Sequence, residues 1–240
     1  MEESAEALLA ALNGASMVFL AASLGGGTGT GAAPFIGRLL RSKGILTVAV
    51  VTYPFRREGA VRRRIAKLGL KDLRSSVDAI IVVPNDSISK AAPPEASYAE
   101  ALAFGDDVLF QAVRSVSDIT QKNGSVNLDF GDVKSVLLDK GAAFIAAGEG
   151  ANGLEAAKAI VHNPLQEHAN LRKAKDVIIN IAGGPELSLS ETENAVNYIH
   201  SELPSYANVI FGAQIDSNLS QRVRVSVIAT GLDSFEEDYL

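Results

Sequence analysis

The sequence contains no cysteine, which excludes disulfides, thiolate metal sites and cysteine nucleophiles. This fits a reducing cytoplasm, the expected location. Histidine is scarce as well: His162, His168 and His200 lack metal-ligand spacing and read as surface or capping residues. No apolar run approaches the roughly 18 residues of a membrane span. The acidic start, "MEESAEALLAALNGASMVFLAAS", has too short an apolar run for a signal peptide, so no direct membrane insertion is expected. Positive charge is not in excess either. The 22 Lys and Arg are outnumbered by 28 Asp and Glu, for a net charge of −6, which argues against nucleic acid as a partner. Repeats and low-complexity tracts are also missing.

What is present is ordinary globular material. The 240 residues are 47% hydrophobic, enough for one large or two small domains. Runs rich in Val and Ile at 17–22, 45–52, 79–84, 142–148, 176–183, 208–215 and 223–231 predict strands, with helix-period segments between them. Pro34 and Gly44 bracket a helix predicted over 31–43. Ser190 and Glu193 suggest the capping box of another over 189–203. The longest helical candidate runs from about Ser97 to Gln121. The first three strands alternate with helices as in a parallel α/β sheet, and the later four suggest a mixed α+β unit. The expected organisation is therefore an α/β domain over 1–96, a central helix over 97–121 and an α+β domain over 122–240.

Two segments carry chemistry. The first is "GGGTGTG", Gly25 to Gly31, between a strand and a helix. Glycines let main-chain N–H groups converge on an anion, and the following helix adds its positive end. Thr28 and Thr30 offer hydroxyls to a phosphate or a phosphate-bound Mg²⁺. The Gly-Lys-Ser/Thr ending of a Walker loop is missing. A dinucleotide fingerprint fits nominally at Gly27, Gly29 and Ala32, but the acid it needs at the end of the next strand is not there, Glu58 lying beyond. The second segment is "NLDFGD", with Asn127, Asp129 and Asp132. Its carboxylates could orient a water and accept its proton, or bind a cation. Asp129 is equally a good N-cap, with Asp132 at N3 of the next helix. Residues 106–121 alone would span about 22 Å as helix, so these carboxylates reach phosphates on a neighbour stacked head to tail more readily than those on their own loop.

Together with "GILTVAVVTYPFRREG" (44–59), "VVPND" (82–86), "NLDFGDV" (127–133) and "VRVSVIATGLD" (223–233), the glycine loop closely resembles the tubulin/FtsZ family, in particular its FtsZ branch of bacterial cell-division GTPases. The resemblance runs from about Glu3 to Asp233 and implies a partial parallel Rossmann-like GTPase domain, a central long helix and a C-terminal α+β domain. It implies GTP or GDP as ligand with Mg²⁺, K⁺ as a further cation, and hydrolysis between stacked subunits. By position, Gly25, Gly26, Gly27, Thr28, Gly29, Thr30 and Gly31 would cradle phosphates, Thr28 lying closest to the terminal phosphate and thus to its Mg²⁺. Glu58 and Arg62 match ribose and guanine contacts, and Asn85 and Asp106 match base contacts. Asn127, Asp129 and Asp132 would complete the neighbour's active site. The rest of the basic run, including Arg56, Arg57, Arg63, Arg64 and Lys67, reads as a solvated face.

The departures from the family shape the functional expectation. Family members begin with roughly 90 further residues that contribute half of the phosphate and base pocket of such a sheet. Leu102 stands where the family usually has an aromatic, and Ser23 replaces the usual glycine before the loop. The sequence ends at "LDSFEEDYL", where the family continues into a linker and a terminal adaptor peptide. Two readings compete. One is a GTPase that polymerises head to tail with itself or with full-length FtsZ, impaired by the missing half-pocket. The other is a non-catalytic module that caps full-length FtsZ filaments at the division site.

Overall fold

The computed structural model describes residues 5–91, 95–121, 126, 128–162 and 171–232. After a short helix α1 (Ala5–Ala11), the chain forms β1 (Met17–Ser23), α2 (Gly27–Ser42), β2 (Leu46–Tyr53), α3 (Ala60–Ser76), β3 (Ala79–Pro84) and α4 (Asn85–Ala91). The long helix α5 (Tyr98–Gln121) and α6 (Phe130–Leu137) follow. The remainder is β4 (Gly141–Gly150), α7 (Gly153–Val161), β5 (Asp176–Gly183), α8 (Leu189–Ser201), β6 (Asn208–Ile215) and β7 (Val223–Thr230).

All seven expected strands form, and they join into one mixed sheet in the order β1-β2-β3-β4-β7-β5-β6. β1, β2, β3 and β4 run parallel, and β7 inserts antiparallel between β4 and β5. β6 and β7 are consecutive in sequence yet are not neighbours, because β5 pairs with both.

Alternation along the central strands explains the layers. Ala49, Val51, Tyr53, Ile80 and Val82 face a core with Ala33, Ala66 and Leu73 of α2 and α3. Leu46, Val48, Val50, Ile81 and Val83 face the opposite core with Val116, Ile119, Val133 and Val136 of α5 and α6. A strand buried on both faces needs no polar positions, hence the continuous Val/Ile runs. β1 differs. Among the described residues it pairs only with β2, and Met17 to Leu20 remain half-buried where their β2 partners are buried.

Two local expectations shift. The capping box of α8 is Ser188 with Glu191, two residues before the pair suggested by sequence: Ser188 Oγ accepts from the Glu191 N–H at 3.2 Å and Glu191 Oε2 accepts from the Ser188 N–H at 3.0 Å. Helix α2 starts at Gly27, four residues before the expected start, and carries Pro34 internally. The early start is possible because Gly29 packs directly on the Ser23 carbonyl, where any Cβ would collide.

The two parts of the sheet meet at a narrow junction, the pairs Ala79↔Gly141 and Ile80↔Ala142. Asp78 is buried beside it. Its Oδ2 accepts from the Thr47 N–H at 2.8 Å, its Oδ1 lies 3.3 Å from Arg41 Nε, and its carbonyl accepts from the Gly141 N–H at 2.9 Å. Arg41 also pairs with Asp139 just before β4. On the far side, Arg224 of β7 holds Glu149 of β4 at 2.6 Å and Asp118 of α5 at 3.3 Å, tying the long helix to the antiparallel strands.

Replacing Asp78 by alanine strands the buried Thr47 N–H and removes an ion-pair partner, so a loss of about 2–3 kcal/mol is expected in urea unfolding. Asp78→Asn keeps an acceptor and should cost less. At the start of β5, burial alone would raise the Asp176 pKa. Hydrogen bonds from Lys140 and Asn208, with the charges of Lys140 and Lys175, outweigh it and leave the pKa below the ordinary 3.8. The group therefore stabilises the fold above pH 3.8 and loses that contribution as pH falls through the lower folded value. Asp176→Asn should flatten this part of the acid stability profile.

Candidate functional site

The loop from Leu24 to Gly26 lies at the carboxyl ends of the parallel strands, beside Ser23, Thr52, Tyr53 and Pro84, which are in register. Open α/β sheets bind ligands at this end. Gly25 has φ +96°, and a Cβ there would press on Arg62, 2.9 Å from its Cγ and 3.0 Å from its carbonyl oxygen. Only glycine suits both constraints. The Gly25 N–H donates to Thr30 Oγ1 at 2.9 Å, which commits the Thr30 hydroxyl to the loop itself. Thr28 is exposed.

Helix α2 begins in this loop. Its N-cap, Gly26, has extended backbone and supplies no side-chain cap, and the first turn contains no acidic residue. The first N–H groups of a 16-residue helix thus stand without a side-chain partner among exposed Gly26, Gly27 and Thr28. With the positive end of the helix behind them, they form an anion cradle.

The structure brings Glu58 and Arg62 to the same place. Arg62 backs directly on Gly25, and its Nη1 lies 2.9 Å from Glu58 Oε2. Glu58 Oε1 also accepts from the Phe55 N–H at 2.8 Å. Asn85 opens α4 immediately after β3, half-buried and at the same sheet end. Asp106 is exposed on the third turn of α5.

Asp129 and Asp132 are not gathered there. They lie beyond the 24-residue α5, whose length is about 36 Å at 1.5 Å per residue. The chain has by then returned toward the amino ends of the parallel strands, where Gly141 pairs with Ala79. The two carboxylates form a reciprocal capping box: Asp129 Oδ1 accepts from the Asp132 N–H at 3.0 Å and Asp132 Oδ2 accepts from the Asp129 N–H at 2.9 Å. Each bond uses one oxygen of its carboxylate. Asn127 and His168 lie outside the described residues, as does the Leu102 side chain.

One part of this sheet end did not stand out in the sequence. Arg56, Arg57 and Arg63, read there as a solvated face, line a cleft with Ser87 and Lys90 of α4. The available signal was that both flanking strands end in a proline step, at Tyr53–Pro54 and at Pro84, on the ligand-binding side of the sheet.

Comparison with known proteins reads this geometry. The Tubulin/FtsZ family, GTPase domain, matches residues 1–93, and the FtsZ family, C-terminal domain, matches residues 141–233. An FtsZ structure from M. jannaschii (a W319Y mutant) is 38% identical, superimposes with a TM-score of 0.86, and is matched over 96% of this chain and 70% of its own. The chain belongs to the FtsZ cell-division family. An empty FtsZ dimer from M. jannaschii gives a TM-score of 0.85 at 38% identity, over 95% of this chain and 67% of that one. The cell division protein FtsZ of Caulobacter vibrioides is 44% identical over 97% of this chain and 46% of its own length. That of Bartonella bacilliformis is 43% identical over 99% of this chain and 40% of its own. The chain therefore spans about half the length of the curated relatives it matches.

If Asp129 serves as an N-cap, Asp129→Ala should cost about 1 kcal/mol in urea unfolding, whereas Asp129→Asn, also a good cap, should be close to neutral.

Proposed function

We propose that this FtsZ-family chain binds the phosphates of GTP or GDP on Gly25–Gly31 and hydrolyses GTP across a head-to-tail contact between subunits. The observation that carries the reading is the uncapped start of α2, set in exposed glycines at the carboxyl ends of the parallel strands. Main-chain N–H groups there hold the phosphate oxygens, and the exposed Thr28 hydroxyl adds a donor toward the terminal phosphate. Glu58 and Arg62, already fixed against each other and against Gly25, take the ribose and guanine side. Asn85 and Asp106 contact the base, Asp106 as a carboxylate accepting guanine N–H groups.

The catalytic carboxylates come from the next molecule. Asp129 and Asp132, with Asn127 beside them, sit past the far end of α5 and so face the phosphates of a stacked neighbour. Their capping box holds both in place while leaving each a second oxygen to orient water and accept its proton. Stacking of this heterologous kind generates filaments. Among the described residues no group of three or more His, Cys, Asp or Glu is arranged to hold a metal. A Mg²⁺ ion would therefore sit on phosphate oxygens beside Thr28, neutralising their charge.

A second reading, a module that caps filaments of full-length FtsZ, is favoured by β1, which among the described residues pairs on one side only and leaves Met17 to Leu20 half-buried. Titration of the pure chain with GTP separates the two. Saturable binding with turnover supports the first; undetectable binding with sub-stoichiometric inhibition of FtsZ assembly supports the second. Under the first, Asp132→Asn should lower turnover by at least about a hundredfold with GTP affinity unchanged. Loss of binding instead would contradict supply of that carboxylate by the neighbour.

A further inference from the structure

A cleft of about 350 Å³ opens beside the glycine loop, between the end of β2, the start of α3 and helix α4. None of its lining residues belongs to Gly25–Gly31. Tyr53, Pro54, Phe55 and Pro84 give it an apolar wall. Arg56, Arg57, Arg63 and Lys90 bring four cationic side chains, opposed by the single carboxylate of Asp86. That carboxylate is partly committed, since its Oδ2 accepts from the Arg56 N–H at 3.0 Å. The Arg57 guanidinium is stacked 4.3 Å above the Phe55 ring, which holds a charge at the mouth.

Two polar atoms in the lining are buried without a hydrogen-bond partner among the described residues: Arg63 Nε and Ser87 Oγ. Ser87 is 1% exposed. Arg63 as a whole is half-buried and its guanidinium also hydrogen-bonds the Tyr53 side chain, but its Nε–H and the Ser87 hydroxyl are left unpaired, which is costly in a native protein. The two come from different elements, α3 and α4, and line the same cleft.

We propose that this cleft is an oxyanion site for a phosphate monoester with a compact apolar body. The unpaired Arg63 Nε–H and Ser87 hydroxyl take the phosphate oxygens, and the surrounding cations favour a dianion over a carboxylate. The volume falls in the range of small-molecule sites rather than of a bare ion, and the Tyr53, Phe55 and proline wall suits an apolar body. The site uses none of the glycine-loop residues and stands or falls apart from the GTP reading.

The test is a titration of the whole chain with phenyl phosphate, followed by amide chemical shifts in NMR, with inorganic phosphate and benzoate as parallel probes. Saturable shifts are expected at Arg63, Ser87 and Lys90. Phenyl phosphate should bind at least about tenfold more tightly than either parallel probe. Ser87→Ala and Arg63→Met should each weaken it at least about fivefold, and exposed Arg56→Gln should weaken it by about twofold or more. Should Arg63→Met fail to fold, Ser87→Ala and Arg56→Gln decide. Shifts confined to Gly25–Gly31, affinity unaffected by these variants, or no saturable binding would overturn the site, and equal affinity for inorganic phosphate would overturn the apolar body.

Discussion

The contacts of Asp78 hold the whole architecture in register. One buried side chain accepts from β2, pairs with α2, and offers its carbonyl to the first residue of β4. The sheet is narrowest there, with only two residue pairs between β3 and β4. A carboxylate without water must be satisfied by fixed partners, so those partners cannot slide independently. The parallel half that carries the glycine loop and the mixed half that follows are thereby set in one frame.

That frame determines what the two chemical segments can do. The parallel strands place Gly25–Gly31, Glu58, Arg62 and Asn85 at a common end, while α5 carries the chain away from it before Asp129 and Asp132 appear. Arg224, gripping both Asp118 of α5 and Glu149 of β4, keeps the long helix against the antiparallel strands. Separation of the glycine loop and the acidic loop is thus built into rigid elements. A chemistry that needs both segments needs two molecules.

Much of this was legible in the residues. Strand positions followed from Val/Ile runs, and the glycine loop between a strand and a helix from the same order of residues. The capping role of Asp129 and Asp132 was visible as an N-cap with an acid three residues on. Other features were not legible. Pro34 marks a helix start in most settings, yet α2 begins at Gly27 because Gly29 can sit on the Ser23 backbone. The adjacency of β6 and β7 in sequence said nothing of β5 lying between them. Arg63 looked like one cation in a solvated run, yet its Nε is buried in a cleft that it lines together with Ser87 and Lys90 of α4.

Local order of residue types therefore determined the elements, the glycine cradle and the family resemblance, since each depends on neighbours within a few turns or one strand. Tertiary structure alone decided how near Arg63 lies to Ser87 and which strand ends lie side by side. These are distances between segments remote in sequence, and they arise only when the sheet is assembled and its helices close over both faces.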